Sequence, residues 1–159
     1  MPVFPQRGAC LCGEIEYRLL EDALTVYACH CTECQRQGGA SFSLGMIVRR
    51  AAFELVRGEA SEYRFETSDG RVKQASFCPR CSTRLWNPAQ NPDLLVLEAG
   101  TLDDASWVYP VGHIWTRSAQ PWLSIPEGAM RFAEQPPQDD WMALVRAWRG
   151  RAAGAARAT

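Results

Sequence analysis

The sequence is short of several features that would place it quickly. It has no excess of charge of either sign: seventeen Lys and Arg stand against eighteen Asp and Glu, for a net charge of −1. That balance argues against binding nucleic acid through bulk attraction to phosphates. No apolar run approaches the roughly 18 residues that a membrane span needs. The opening residues, MPVFPQRGAC, lack the basic-then-apolar layout of a secretory leader. Internal repeats are missing, and so is low complexity before the last ten residues. The expectation is a cytoplasmic protein with no nucleic-acid partner and no membrane partner. What is present is an ordinary globular composition, 47% apolar and 22% charged over 159 residues. It is too apolar for disorder and suits a single domain.

Short strand-like runs dominate the chain. Ile15, Tyr17 and Leu19 alternate with Glu14, Glu16 and Arg18, the period of a half-buried strand. Further strands are expected over Phe42–Val48, Phe53–Val56 and Leu94–Leu97, while Thr25–Ala28 is a short apolar run and Arg84–Trp86 leads into the stop Asn87-Pro88. Tyr63 and Phe65 precede the turn Ser68-Asp69-Gly70, and Val72–Phe77 is their expected hairpin partner. Trp107–Tyr109 and His113–Thr116 read as an interrupted strand around Pro110 and Gly112. A proline-rich linker follows. Trp141, Leu144, Val145 and Trp148 then fall on one face of a helix, capped by Asp139 or Asp140 and ended by Gly150. The expected fold is mainly β with a C-terminal helix. Its parts are a main domain over 1–136, the packed helix over 137–150 and a flexible tail over 151–159.

The unusual number is seven cysteines, an odd count that intramolecular disulfides cannot exhaust. In a reducing compartment, clustered cysteines point to metal or catalysis. They form three groups: Cys10-Leu-Cys12, Cys29-His-Cys31-Thr-Glu-Cys34, and Cys78-Pro-Arg-Cys81. The last has the spacing of a zinc knuckle, in which a tight turn aims two thiolates at one ion. Cys10 and Cys12, if on a strand, face the same way. Two pairs together make a closed four-thiolate site, and three cysteines leave one zinc position for water or substrate. Spacing alone does not decide which groups pair, since the middle group could instead join the knuckle. His30 could add a ligand, but in an extended segment it points away from its cysteine neighbours. Inert buried thiols and a redox dithiol are the competing readings.

With these motifs in place, the sequence resembles the glutathione-dependent formaldehyde-activating enzymes, the centromere protein V/GFA family. The resemblance rests on Gly8-Ala-Cys-Leu-Cys-Gly13, on Cys29-His-Cys-Thr-Glu-Cys-Gln-Arg-Gln-Gly-Gly39, and on Phe77-Cys-Pro-Arg-Cys81. Pro110-Val-Gly-His-Ile-Trp115 and Gln120-Pro-Trp122 support it. It implies a β-tent fold of short antiparallel strands. It also implies a structural zinc on Cys10, Cys12, Cys78 and Cys81, and a catalytic zinc on Cys29, Cys31 and Cys34. The implied activity is a carbon–sulfur lyase reaction of the S-(hydroxymethyl)glutathione synthase type. The chain departs from the family pattern at Ser82, where glycine is usual.

Three thiolates on a divalent zinc leave a net charge of −1, so the ion is a weak Lewis acid that favours a soft sulfur ligand. The small-molecule partners expected are therefore a thiol such as glutathione and an aldehyde. Glu33 is a candidate proton carrier, against the plainer reading of a solvated loop carboxylate. Arg36 is a candidate for a substrate carboxylate, Gly39 (with Gly38) for a backbone contact, and His113 for lining the pocket. Trp115 and Trp122 read as core. A non-catalytic zinc-stabilised binding module and a zinc/thiol redox enzyme are the rival functions.

Overall fold

The computed structural model describes residues 2–155. Along the chain run β1 (Gln6–Ala9), β2 (Glu16–Leu19), β3 (Thr25–Cys29), α1 (Thr32–Gly38), β4 (Ser43–Arg49), β5 (Phe53–Arg57) and β6 (Ser61–Glu66). Then come β7 (Val72–Phe77), β8 (Arg84–Pro88), β9 (Leu94–Glu98), β10 (Gly112–Ile114), β11 (Met130–Arg131) and α2 (Gln138–Ala155). The architecture is mainly β with a long C-terminal helix, as expected. The chain divides into two compact units that interleave in sequence. One takes residues 24–45 and the chain from Val108 onward; the other takes 2–23 and 46–107.

The second unit is antiparallel. β2 pairs with β1 and with β5, and the alternation seen in the sequence puts Tyr17 and Leu19 inside. Gly8 is required here: a Cβ would lie 2.3 Å from the Tyr17 ring and 2.6 Å from the Thr101 carbonyl oxygen. β6 and β7 form the expected hairpin, with Tyr63 opposite Ala75. The ladder continues through β8 to β9, whose Leu95 and Leu97 are buried.

The first unit departs from the antiparallel expectation. β10 lies parallel between β3 and β11, with His113 opposite Ala28 on one side and Arg131 on the other. More than eighty residues separate His30 from His113, so the connection is long enough for a parallel pair. α2 covers β3: the Thr25 hydroxyl donates to the Leu144 carbonyl at 3.0 Å, and Trp141 meets Tyr27 edge-on at 5.1 Å. Leu144 and Trp148 are buried, as the periodicity required.

Several expectations are corrected. Trp107–Tyr109 forms no strand, and the strand expected to reach Thr116 stops at Ile114, because Trp115 turns the chain with φ 58°. Asp139 and Asp140 lie inside the first turn of α2, which begins after Pro137, and so they favour the helix dipole without capping it. Gly150 does not end α2: the small residues after it continue the helix to Ala155. Of the tail expected over 151–159, the part from 156 lies outside the described residues. Trp122 is not core but 69% exposed.

Candidate metal centres

Two cysteine groups assemble, and they are the groups of four and three. Cys10, Cys12, Cys78 and Cys81 bring their sulfurs within 4.8 Å of one another in the second unit. Cys29, Cys31 and Cys34 do the same in the first. All seven are thiols in the structure.

The four-cysteine group is built from two turns. β1 ends at Ala9, so Cys10 and Cys12 are not on a strand. They sit in a turn closed by the Gly13 N–H on the Cys10 carbonyl, with Gly13 at φ 75°. The knuckle closes through the Ser82 N–H on the Cys78 carbonyl at 2.9 Å, which puts Ser82 at φ 61°. Cys10 Sγ lies 3.6 Å from Cys12 Sγ, and Cys12 Sγ lies 3.8 Å from Cys78 Sγ. Four sulfurs each about 2.3 Å from a tetrahedral zinc stand about 3.8 Å apart, so this donor set fits that ion. Thr83 ties the two turns together. Its Oγ1 accepts the Leu11 N–H at 3.1 Å and lies 3.2 Å from Cys81 Sγ. Hydrogen bonding from Thr83, side chain first and backbone second, holds the Cys81 thiol down at about 5. The Ile15 N–H donates to Cys10 Sγ at 3.2 Å.

The three-cysteine group is fully buried and made from one short stretch of chain. Cys29 ends β3. Cys31 is the N-cap of α1, its sulfur accepting the Cys34 N–H at 3.4 Å, and Cys34 lies one turn in. The extended reading of this segment missed α1. Its signals were present: a capping residue before Thr32, Glu33 in the first turn, Arg36 in the last, and Gly39 closing the helix at φ 57°. Hydrogen bonding from Cys31 and Cys34, then burial, pushes the Cys29 thiol far up. Cys29, crowded by two other sulfurs, thus resists ionising until a cation neutralises the group.

The other candidates fall around α1. Glu33 is half-buried in its first turn and Arg36 is exposed on its last. Gly39 donates its N–H to the Gln35 carbonyl, so that group closes the helix and is not free for a ligand. A shallow cavity is lined by Gln35, Arg36, Gly39, Ala40, Ser41 and Gln120. His30 does not join the sulfur group. It is fully buried and faces His113, Nε2 to Nδ1 at 2.9 Å. Burial lowers both imidazoles, His113 to about 4, with His30 and Arg131 adding to the shift at His113.

Residue reading missed Gln35. Its Nε2 donates to the His30 carbonyl at 2.7 Å and to the Ser118 carbonyl at 2.9 Å, while Gln120 donates to its Oε1 at 2.8 Å. A side-chain amide on the helix that carries Cys34 was the available signal.

Residues 5–118 match the family described as glutathione-dependent formaldehyde-activating enzyme. The chain belongs to this family. A Rhodobacter sphaeroides protein of solved structure is also similar, at 25% identity and a TM-score of 0.50, over 65% of this chain and 91% of that one. No curated protein matches the chain. In this member of the glutathione-dependent formaldehyde-activating family, the two cysteine groups are each able to hold a metal ion. No helix among the described residues is long and apolar enough to cross a membrane.

Proposed function

We propose that the protein is a zinc-dependent carbon–sulfur lyase of the cytoplasm, acting on an adduct of glutathione, or a related thiol, with formaldehyde or another small aldehyde. Two zinc ions per chain are part of this reading: a structural one on the four cysteines and a catalytic one on the three. The observation that carries it is the buried set of three convergent sulfurs, with no fourth His, Cys, Asp or Glu in the group among the described residues, in a chain of this family.

Bound zinc would supply Lewis-acid stabilisation of a sulfur or oxygen ligand. Cys29, Cys31 and Cys34 would hold it, and the negative charge of three thiolates would favour a soft thiol over a hard ester. In the synthetic direction the thiol sulfur adds to the aldehyde carbon. A C–S bond forms, the C=O π bond breaks, and the thiol proton ends on the oxygen. Glu33, in the first turn of α1, is the proposed carrier of that proton. Arg36, beside the shallow cavity, is the proposed partner of a substrate carboxylate, with Gly39 in the same lining. His113, buried against His30, is not among the residues that line that cavity.

Exchange NMR of glutathione with formaldehyde tests the reading. Adduct formation and breakdown should both exceed the spontaneous rate in proportion to enzyme. No rate above background, with two zinc ions bound, would overturn the lyase and leave a binding module.

A further inference from the structure

His30 sits between two of the three cysteines, and each of its polar contacts is made outside the run Cys29–Cys34 or on α1. Its N–H donates to the Ile114 carbonyl at 3.0 Å. Its carbonyl accepts from Gln35 Nε2 at 2.7 Å. Its ring meets the His113 ring edge to edge, 2.9 Å between Nε2 and Nδ1, the planes within 17° of each other. Phe42 closes on the His30 ring at 5.5 Å. The two imidazoles are 0% and 5% exposed, and their outer nitrogens, His30 Nδ1 and His113 Nε2, have no hydrogen-bond partner among the described residues. Each ring therefore depends on the other to satisfy a buried polar atom.

We propose that His113 is a positioning residue for the three-cysteine metal site, acting through the His30 imidazole. The inference rests on the reading that Cys29, Cys31 and Cys34 hold a metal. Two main-chain bonds fix the His30 peptide, and the His113 bond fixes its side chain. Together they set the direction in which the chain presents Cys29 on one side and Cys31 on the other. Without His113 Nδ1, the buried His30 Nε2 loses its partner at a desolvation cost that rearrangement of the turn can relieve. That rearrangement moves the two sulfurs relative to each other. Groups that orient ligands from behind are worth about 10–100-fold in metal affinity.

The four-cysteine group gives an internal control, since its cysteines belong to the other compact unit. Zinc release from the full-length, zinc-loaded protein to a chromophoric chelator is followed for wild type, His113→Phe, His113→Asn and His113→Gln. Cys31→Ser identifies the phase that belongs to the three-cysteine site. His113→Phe should weaken zinc binding at that site by about 10–100-fold and leave the other phase unchanged. His113→Asn keeps a polar atom near the position of Nδ1 and should stay within a few-fold of wild type. His113→Gln places its polar atom near Nε2 and should behave like Phe. Unchanged release from His113→Phe, or equal loss at both sites, overturns the inference. If His113→Phe does not fold, equal behaviour of the Asn and Gln variants overturns it instead. A wild-type protein that takes up no zinc on the three cysteines overturns the metal reading itself, whereas a loaded wild type with indifferent variants overturns only the role of His113.

Discussion

The four-cysteine and three-cysteine groups use the same ligand atom but are built in opposite ways. The first joins two turns from distant parts of the sequence, with Cys12 and Cys78 separated by 66 residues. It includes an exposed cysteine, Cys12, and its left-handed residues, Gly13 and Ser82, lie in its own loops. The second is local, running from the end of β3 into the first turn of α1, and entirely buried. Joining distant chain segments stabilises a fold, because the ion replaces loop-closure entropy. Clustering ligands in one stretch closes no long loop, which is why the proposed reading leaves an ion there to chemistry.

The largest break between the two should come from removing one sulfur from each. Cys78→Ser should cost more than about 5 kcal/mol of stability, enough to unfold the protein at 25 °C, because structural zinc supplies folding energy of that order. Cys31→Ser should leave a folded protein with one zinc and no lyase activity. Metal analysis with circular dichroism reads both, and equal unfolding would erase the distinction.

Next in size is the close packing that leads into each group. Gly8→Ala, two residues before Cys10, drives a Cβ to 2.6 Å from a backbone oxygen and 2.3 Å from a ring buried in the sheet, and should cost about 3 kcal/mol. Gly112→Ala, next to His113, meets only the far end of Leu144 at that range and should cost less, about 1 kcal/mol. Urea midpoints compare them, and a reversed order would contradict the packing.

The third prediction concerns acid. His113 titrates near 4 in the folded chain because burial, then His30 and Arg131, disfavour its charged form, against about 6.5 when unfolded. Below pH 6.5 the unfolded chain takes up a proton that the folded chain refuses. The stability contribution of neutral His113 is thus complete above pH 6.5, falls as the pH drops toward 4, and levels off below. It should amount to about 3 kcal/mol. Taking the wild type relative to His113→Asn removes the loss of metal common to both. A flat difference between pH 7 and 4 would refute the shift.

The smallest effect belongs to the knuckle. Ser82→Gly should raise stability by about 1 kcal/mol or less, since Ser82 holds φ 61° at a steric cost that glycine avoids. Thermal unfolding checks the sign.

Most strands were legible because their alternation or apolar runs were undisturbed by turns, as in Tyr17 and Leu19 or Leu95 and Leu97. The cysteine grouping was legible from spacing, with the family resemblance deciding the pairing. What escaped was set by tertiary contact. The Cys10–Cys12 turn follows from Gly13, and the end of β10 from Trp115 at φ 58°. Trp122, expected in the core by its size, finds no cover. The parallel β3–β10 pair and the His30–His113 contact depend on residues more than eighty positions apart, which no local pattern carries.

That separation has a consequence for synthesis of the chain. Cys29, Cys31 and Cys34 leave the ribosome together, 83 residues' interval lying between His30 and His113. At typical elongation of about 5–20 residues per second, the nascent thiols are exposed for several seconds before β10, which pairs with their strand, exists. The nascent chain is thus able to meet a metal ion, or an oxidant, long before the cysteine group is complete, and keeping those three sulfurs reduced becomes a task for the cell.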